Sequence, residues 1–514
     1  MSNFKSKIPE EVIDIVKTFK SAGFEVYLVG GCIRELLRGE TPKDWDLTTN
    51  AKPHNIIGLF DNTFYENDYG TVGVVVEKWK EKQEKTEESV TREMGGLEEG
   101  EVIRETSPIV EVTPYRLEAK YTNHRQPDSV TFSNSLEDDL KRRDFTMNAI
   151  AYDPIEDKLI DPYQGQKDIK DKIIKAVGSP EERLNEDALR ILRAIRLATV
   201  LGFSIDKDTE EAIKKTASKL EKISMERIRD EFVKIIMSDH PKSGILLAHK
   251  LGVFKYIIPE LEEGITIDQN QAHSFDVWTH NLKTLEHGAS KNWTLKVRIA
   301  ALLHDVSKPE TRRWSEEKKD WTFYGHDVVG GRVARKILTR LKFPNKLIDD
   351  ASLLVRYHLF FSDTEKITPS AVRRIVRNVG KENIWDLMKV RACDRIGTGR
   401  PKEQPYRLRK YKSMIEEVMR DPISVGALKI KGERIMEITQ EKPGPRLGWI
   451  LHALLEEVLD DPQRNTEGYL ENKTKEFSKL SDKELKEVGE KGKERKEKIE
   501  ETEVGKIRKK YWVK

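Results

Sequence analysis

From about Glu181 almost to its end this chain repeats apolar residues at helical spacing, and its strand-like patterns lie before that point. A sheet can therefore form only in the N-terminal part. The expected class is α+β: a small mixed α/β head, with an antiparallel-type sheet and flanking helices, followed by an all-helical body. Within the head, Val12, Ile15, Val16 and Phe19 mark one face of a helix over residues 10 to 22, and Phe24 to Val29 reads as a short strand. Gly30-Gly31 ends it, and Ile33, Leu36 and Leu37 restart a helical pattern. Further strands are expected at Asp44 to Thr48, Val72 to Val76 and Ile109 to Thr113. Residues 77 to 105 are charged and nearly free of apolar side chains, which reads as a solvated hairpin extension or loop. The Lys/Glu-rich stretch after Asn472 is either a charged helix or a mobile tail.

No stretch approaches the roughly 18 apolar residues that span a bilayer, and the N-terminus leads into a charged amphipathic segment rather than an apolar signal core. Two cysteines in 514 residues, Cys32 and Cys393, cannot build a disulfide framework or a thiolate zinc site, so a reducing, cytoplasmic location is expected. With 92 basic against 89 acidic residues, affinity for nucleic acid must come from local patches. Neither a membrane nor an obligate protein partner is inferred.

Asp44-Trp45-Asp46 within a strand would place both carboxylates on one face and Trp45 on the other. Two convergent carboxylates plus substrate phosphates suit Mg²⁺, which can activate an attacking hydroxyl and neutralise a leaving pyrophosphate. An isolated Asp-x-Asp is usually a solvated turn or strand edge. Its weight here comes from Gly30-Gly31-x-x-Arg34 upstream, where missing Cβ atoms let phosphate approach the backbone at a helix N-terminus and Arg34 adds a charged fork.

These motifs resemble the class II tRNA nucleotidyltransferase and poly(A) polymerase family. Leu28-Val-Gly-Gly-Cys-Ile-Arg34 and Lys43-Asp-Trp-Asp-Leu-Thr48 look like its catalytic motif. The likeness continues through Arg142-Arg-Asp-Phe-Thr-Met-Asn-Ala149, Asp161-Pro-Tyr-Gln-Gly165, Glu186-Asp-Ala-Leu-Arg190 and Glu226-Arg-Ile-Arg-Asp-Glu231. Glu35 departs from the aspartate usual after the arginine. The resemblance implies that Asp44 and Asp46 bind Mg²⁺ and that Gly30, Gly31, Arg34, Arg143, Asp144 and Asn148 serve the nucleotide. Glu111, on the strand Val110-Glu-Val-Thr113, is a candidate third acidic group, with an ion pair on a strand face as the plain alternative. Template-free addition of CCA to tRNA from CTP and ATP is the implied activity of a bacterial-type member. A-adding, CC-adding and poly(A) polymerase activities are rivals, and a catalytically idle RNA-binding module is a rival of another class. The segment Tyr115 to Asp128 resembles the loop that full CCA-adding members use to switch from C to A.

Asp187, Arg190, Arg193 and Arg196 recur at i, i+3 spacing, which on a helix lines up an acceptor and forked donors. A carboxylate accepts from the amino group of cytosine or adenine and meets a carbonyl oxygen on uracil or guanine, while Arg190 can donate to the adjacent ring acceptor. The same family assigns the later arginines to phosphates.

Farther on, His280, the pair His304-Asp305 and Asp394 fall on separate helical segments, an order that resembles the HD phosphohydrolase superfamily. His326 and His358 are candidates to complete a dinuclear centre, and imidazole with carboxylate suits a divalent transition metal. Basic clusters at Arg332 to Lys346 and Arg400 to Lys412, and Lys442 and Arg446 around a Pro-Gly-Pro turn, are candidate RNA contacts. The expected division is residues 1–155 head, with the insertion 77–105; 156–265 neck and body, binding base and RNA; 266–412 HD domain; 413–472 helical tail, contacting tRNA; and 473–514 charged extension.

Overall fold

The computed structural model describes residues 4–65, 70–76, 79, 109–118, 130–269, 274–360, 366–420 and 425–514. The insertion expected at 77–105 lies outside them except for Trp79, as does most of the Tyr115 to Asp128 loop. The chain divides into two compact units, Met1–Val355 and Arg356–Lys514.

In the first unit, nine strands are named here: β1 (Val26–Val29), β2 (Trp45–Thr49), β3 (Thr63–Tyr65), β4 (Val72–Val75), β5 (Ile109–Pro114), β6 (Arg116–Glu118), β7 (Val130–Phe132), β8 (Ala151–Asp153) and β9 (Lys158–Ile160). Seven form one sheet in the order β3-β4-β5-β2-β1-β8-β9, and β6 and β7 make a separate ribbon. The sheet is antiparallel except between β2 and β5, which run parallel with Asp46 beside Glu111. The sheet is thus of the antiparallel type expected, with this one parallel pair. The parallel pair arises because the helix Pro53–Leu59 and the β3–β4 hairpin carry the chain back before β5 enters beside β2.

The helix Glu10–Ser21 buries Val12, Ile15, Val16 and Phe19, the stripe its periodicity predicts. Burial in β1 and β2 covers Leu28, Val29, Trp45 and Leu47. After β9 the first unit is mainly helical, with Leu189–Leu201 and Met225–Ile236 packed together and Val277–Ser290 against Leu295–Leu303.

The second unit is helical. Leu428, Ile435, Ile450, Leu454, Leu470 and Leu485 share one core. The Lys/Glu-rich extension is a helix, Asp482–Lys510, started by a capping box between Ser481 and Glu484. It lies against the helix Pro445–Asp460 so closely that a Cβ at Gly489 would meet Trp449 Cα at 2.8 Å, and one at Gly492 would collide with the His452 carbonyl oxygen. Among the described residues no helix is long and apolar enough to cross a membrane.

Candidate active site

One cavity of about 570 Å³ in the first unit gathers Gly30, Gly31, Arg34, Asp46, Glu111, Arg143, Asp144, Asn148, Asp187, Arg190, Arg193 and Arg196. Arg116, Arg142 and Arg227 line it too, so eight arginines and four carboxylates line the cavity, with Glu35, Asp139, Glu186 and Glu231 pairing several of these arginines from outside the lining. The guanidinium forks are donors suited to phosphate oxygens.

The strand–turn–helix arrangement builds its floor. Gly30 has φ +73°, and a Cβ there would stand 3.3 Å from both Arg143 Nη1 and Asp46 Oδ2. A side chain at this position would enter the gap between carboxylate and guanidinium, so glycine keeps the gap open. The helix Gly31–Arg38 starts from this turn. Its Arg34 donates from Nη1 to Asn148 Oδ1 at 2.7 Å and from Nε and Nη2 to Glu35 Oε1 at 2.9 and 2.8 Å. Glu35 also accepts from Arg38 at 2.5 Å, so the longer side chain ties two arginines of its own helix.

Of the two carboxylates of Asp44-Trp45-Asp46, only that of Asp46 belongs to the strand. The ladder with β5 begins at Trp45↔Val110, which leaves Asp44 in a bend before β2, exposed and outside the cavity lining. Trp45 is buried as expected, Asp46 lies in the strand, and Glu111 sits in register with Asp46. The Cys32 thiol, below this strand, is pushed up to about 12 by burial and is inert.

Buried carboxylates hold the arginines in place. Asp144 Oδ2 accepts from Arg193 Nε and Nη2 at 2.8 and 2.6 Å, and Asp144 Oδ1 accepts from Asn148 Nδ2 at 3.0 Å. Burial alone would raise the Asp144 carboxyl, but the Arg193 charge and these hydrogen bonds outweigh it and keep it well below the usual range. Asp139, which sequence reasoning missed, is fully buried and accepts from Arg143 Nη2 at 3.0 Å, Arg142 Nε at 2.9 Å and Thr48 Oγ1 at 3.2 Å. Burial opposes its charge, yet Arg143 and Arg142 prevail and lower it. Arg196 Nε pairs with Glu231 at 2.8 Å.

The row Asp187, Arg190, Arg193 and Arg196 is not one helical face. Asp187 ends the helix Pro180–Glu186 in extended conformation, and its Oδ1 accepts from Leu189 N at 3.0 Å, capping the helix that carries the arginines. Its Oδ2 accepts from Arg227 Nη2 at 2.8 Å. Arg190 is buried and donates to the carbonyls of Arg183 and Arg142 and to Glu186, at 2.9, 3.0 and 2.6 Å. Both still line the cavity.

A second cluster lies in the helical part of the same unit. His280 Nε2 and His304 Nε2 are 3.0 Å apart, each 3.3 Å from Asp305 Oδ2, and His326 Nε2 is 3.3 Å from Asp305 Oδ1. All four residues are buried. His304 Nδ1 meets the Ala301 carbonyl at 2.8 Å and His326 Nδ1 that of Phe323 at 2.5 Å. A carbonyl only accepts, so those Nδ1 atoms carry hydrogen and the Nε2 lone pairs face the cluster, the tautomer of a metal ligand. Lys308 Nζ lies 2.6 Å from Asp305 Oδ2. Burial would raise the Asp305 carboxyl, but His304 and Lys308 hold it well below its usual range.

His358 and Asp394 are buried in the second unit, where Asp394 accepts from Arg391. Lys442 there is exposed, whereas Arg446 donates to Glu441 at 2.7 Å, to the carbonyls of Ser478 and Leu480 at 3.0 and 2.9 Å, and to Asp482.

Three family models match in sequence order: the poly(A) polymerase head domain over residues 26–175, the probable RNA- and SrmB-binding site of polymerase A over 202–265, and the HD domain over 277–399. The A-adding tRNA nucleotidyltransferase of Deinococcus radiodurans is 34% identical over 342 residues, 64% of this chain and 77% of that protein. The CCA-adding enzyme of Leuconostoc mesenteroides is 29% identical over 484 residues, 92% of this chain and 98% of that one. Among solved structures, the Bacillus stearothermophilus CCA-adding enzyme in complex with CTP superposes with a TM-score of 0.56 at 26% identity, covering 91% of this chain and 96% of that one. With its catalytic-type head, its RNA-binding segment and its HD segment in this order, the chain belongs to the tRNA nucleotidyltransferase and poly(A) polymerase family.

Proposed function

We propose that the chain adds C, C and A to the 3′ ends of tRNA from CTP and ATP without a nucleic-acid template. The observation that carries this is one cavity lined both by Asp46, opposite Arg143 across Gly30, and by Asp187 and Arg190. A nucleotide can then meet phosphate donors and a base-reading carboxylate within a single space. The name of the Leuconostoc relative, which this chain covers almost completely, supports full CCA addition.

In the proposed reaction the tRNA 3′-oxygen bonds to the α-phosphorus, the bond from that phosphorus to the bridging oxygen breaks, and pyrophosphate leaves. The hydroxyl proton passes to solvent. Arg34, Arg143 and Arg193 hold the triphosphate through charged forks. Asp187 accepts from the amino group of cytosine or adenine, and a carbonyl there would face its oxygen. Asp44 and Asp46, with Glu111 beside Asp46, are the oxygen donors for Mg²⁺, and hard carboxylate oxygens on and next to adjacent strands suit that ion. Bound there, Mg²⁺ would supply charge neutralisation of the phosphates and a more acidic 3′-hydroxyl.

For the HD segment we propose a divalent transition metal held by His280, His304, Asp305 and His326, whose nitrogen and oxygen donor set suits such ions. His358 and Asp394 are retained as ligand candidates from their sequence context, and phosphoester hydrolysis is the activity proposed for this cluster. The five-part division given above is retained as the proposed division of labour.

A-adding activity is the second reading, favoured by the name of the Deinococcus relative. The deciding experiment incubates purified protein with tRNA lacking its CCA end and each labelled nucleoside triphosphate separately. Incorporation of CTP, then of ATP on the product, is expected. ATP incorporation only on tRNA already ending in CC would establish the A-adding reading, and no incorporation of either nucleotide would refute both.

A further inference from the structure

The helix Pro369–Val379 of the second unit buries Val372, Val376 and Val379. Arg373, Arg374 and Arg377 are exposed. Positions three and four apart on a helix are neighbours, so the three guanidinium groups share one face. With Thr368 and Ser370 they line a surface cavity of about 650 Å³. The helix contains no acidic residue, and among the described residues none of the three arginines takes part in a hydrogen bond or ion pair.

Three arginines in the clusters singled out from sequence are, by contrast, engaged within the protein. Arg335 pairs with Asp349 at 2.7 Å, Arg340 with Glu260 at 2.5 Å, and Arg409 donates to the carbonyls of Tyr511 and Trp512 at 2.9 and 3.0 Å. The chain carries 89 acidic residues against 92 basic ones, so carboxylate partners are abundant. Three adjoining like charges repel one another, and a bound anion relieves that repulsion.

We propose that this arginine face binds successive phosphates of an RNA backbone. Arg373 and Arg377 stand about 6 Å apart along the helix axis, close to the spacing of neighbouring phosphates on a strand. Guanidinium forks match phosphate oxygens in pairs, and such contacts position the polymer without reading its sequence. A free triphosphate offers the same chemistry, but the first unit already provides eight arginines for it in the nucleotide cavity. The inference rests on the proposed tRNA substrate and adds a backbone contact to it.

The test uses the full chain carrying Arg373→Glu, Arg374→Glu and Arg377→Glu together, a triple lysine counterpart, and the wild type. Affinity for tRNA lacking CCA is measured by fluorescence anisotropy between about 50 and 200 mM salt. The glutamate variant should bind at least tenfold more weakly at the lowest salt, and its plot of log affinity against log salt should be shallower by about 2 to 3. The lysine variant should keep the wild-type slope, and KM for CTP and ATP at saturating tRNA should not move in either. Should the glutamate variant fail to fold, Arg373→Ala with Arg377→Ala should flatten the slope by about 1.5 to 2. An unchanged slope in a folded variant overturns the proposal while wild-type addition leaves the tRNA reading standing. A raised KM for nucleotides with unchanged tRNA affinity assigns the face to free triphosphate and also overturns it. A wild type that neither binds nor extends tRNA removes both readings.

Discussion

Asp187 Oδ2 and Arg227 Nη2 are joined at 2.8 Å, although forty positions separate them in the chain. The carboxylate proposed to read a base is therefore already oriented by a cation, while its other oxygen caps a backbone amide. Asp187→Ala should relax base selection: UTP or GTP incorporation relative to CTP should rise at least tenfold as the penalty on a carbonyl disappears. Arg227→Ala should lower CTP and ATP incorporation together, because a freed carboxylate samples other rotamers. Single-nucleotide incorporation ratios check both, and an unaltered ratio in the Asp187 variant places base choice elsewhere.

Gly30→Ala should cost about 1 kcal/mol or more in stability, since an L-residue is strained at φ +73°. Activity should suffer more than the fold, because the added methyl lies 3.3 Å from both Asp46 and Arg143. Incorporation should fall at least tenfold in a protein whose circular dichroism is unchanged. Wild-type turnover would show that the gap is not where phosphate lies.

Asp44→Ala or Asp46→Ala should abolish addition from both CTP and ATP while tRNA affinity stays within a few fold, since phosphate contacts elsewhere carry binding. Near-normal turnover in the Asp46 variant would end the assignment of that carboxylate. Asp44 is the sharper case, because it stands in the bend before β2.

The strand, the glycine turn and the following helix were legible because a change of period marks each boundary and Gly30 is required by its backbone angle. Ten residues that line the cavity could be named from sequence because they sit in short contiguous motifs. What local spacing could not show was pairing across the chain. The start of β2 depends on Val110 as partner to Trp45, so Asp44 falls one residue short of the strand. The helix expected to include Asp187 begins after it, since that carboxylate caps Leu189 N. Asp139 gave no separate signal, yet it sits within a short acidic run before Arg142-Arg143, and its complete burial is what marks it as the anchor of both.

The buried pair of Asp144 and Arg193 predicts a pH-dependent stability. The Asp144 carboxyl is depressed in the folded state, so its contribution is fully present above the unfolded value near 3.9 and is lost as pH falls below it toward the folded value. Asp144→Asn should destabilise by about 2 kcal/mol at pH 7, less than a fully buried pair because Arg193 is partly exposed. Urea unfolding should show that deficit constant from about pH 5 to 8 and shrinking below about pH 4. A deficit that persists unchanged at low pH would contradict the ion-pair account.

His304→Ala with Asp305→Ala should leave CCA addition near wild type while removing a transition metal that co-purifies with an Asp44→Ala, Asp46→Ala background, read by elemental analysis. Metal retained in the combined variant would place the binding elsewhere. Addition lost in a folded His304, Asp305 variant would show that the two clusters are coupled.

The helix Asp482–Lys510 is a run of lysines and glutamates that offers its partner few distinguishing side chains. Such a helix could slide by a turn and exchange one set of ion pairs for another at little cost. Gly489 and Gly492 remove that freedom, because a one-turn shift would drive a larger side chain into the backbone around Trp449 or His452. Two absent methyl groups thus work as a notch, giving an otherwise repetitive segment a single place to seat.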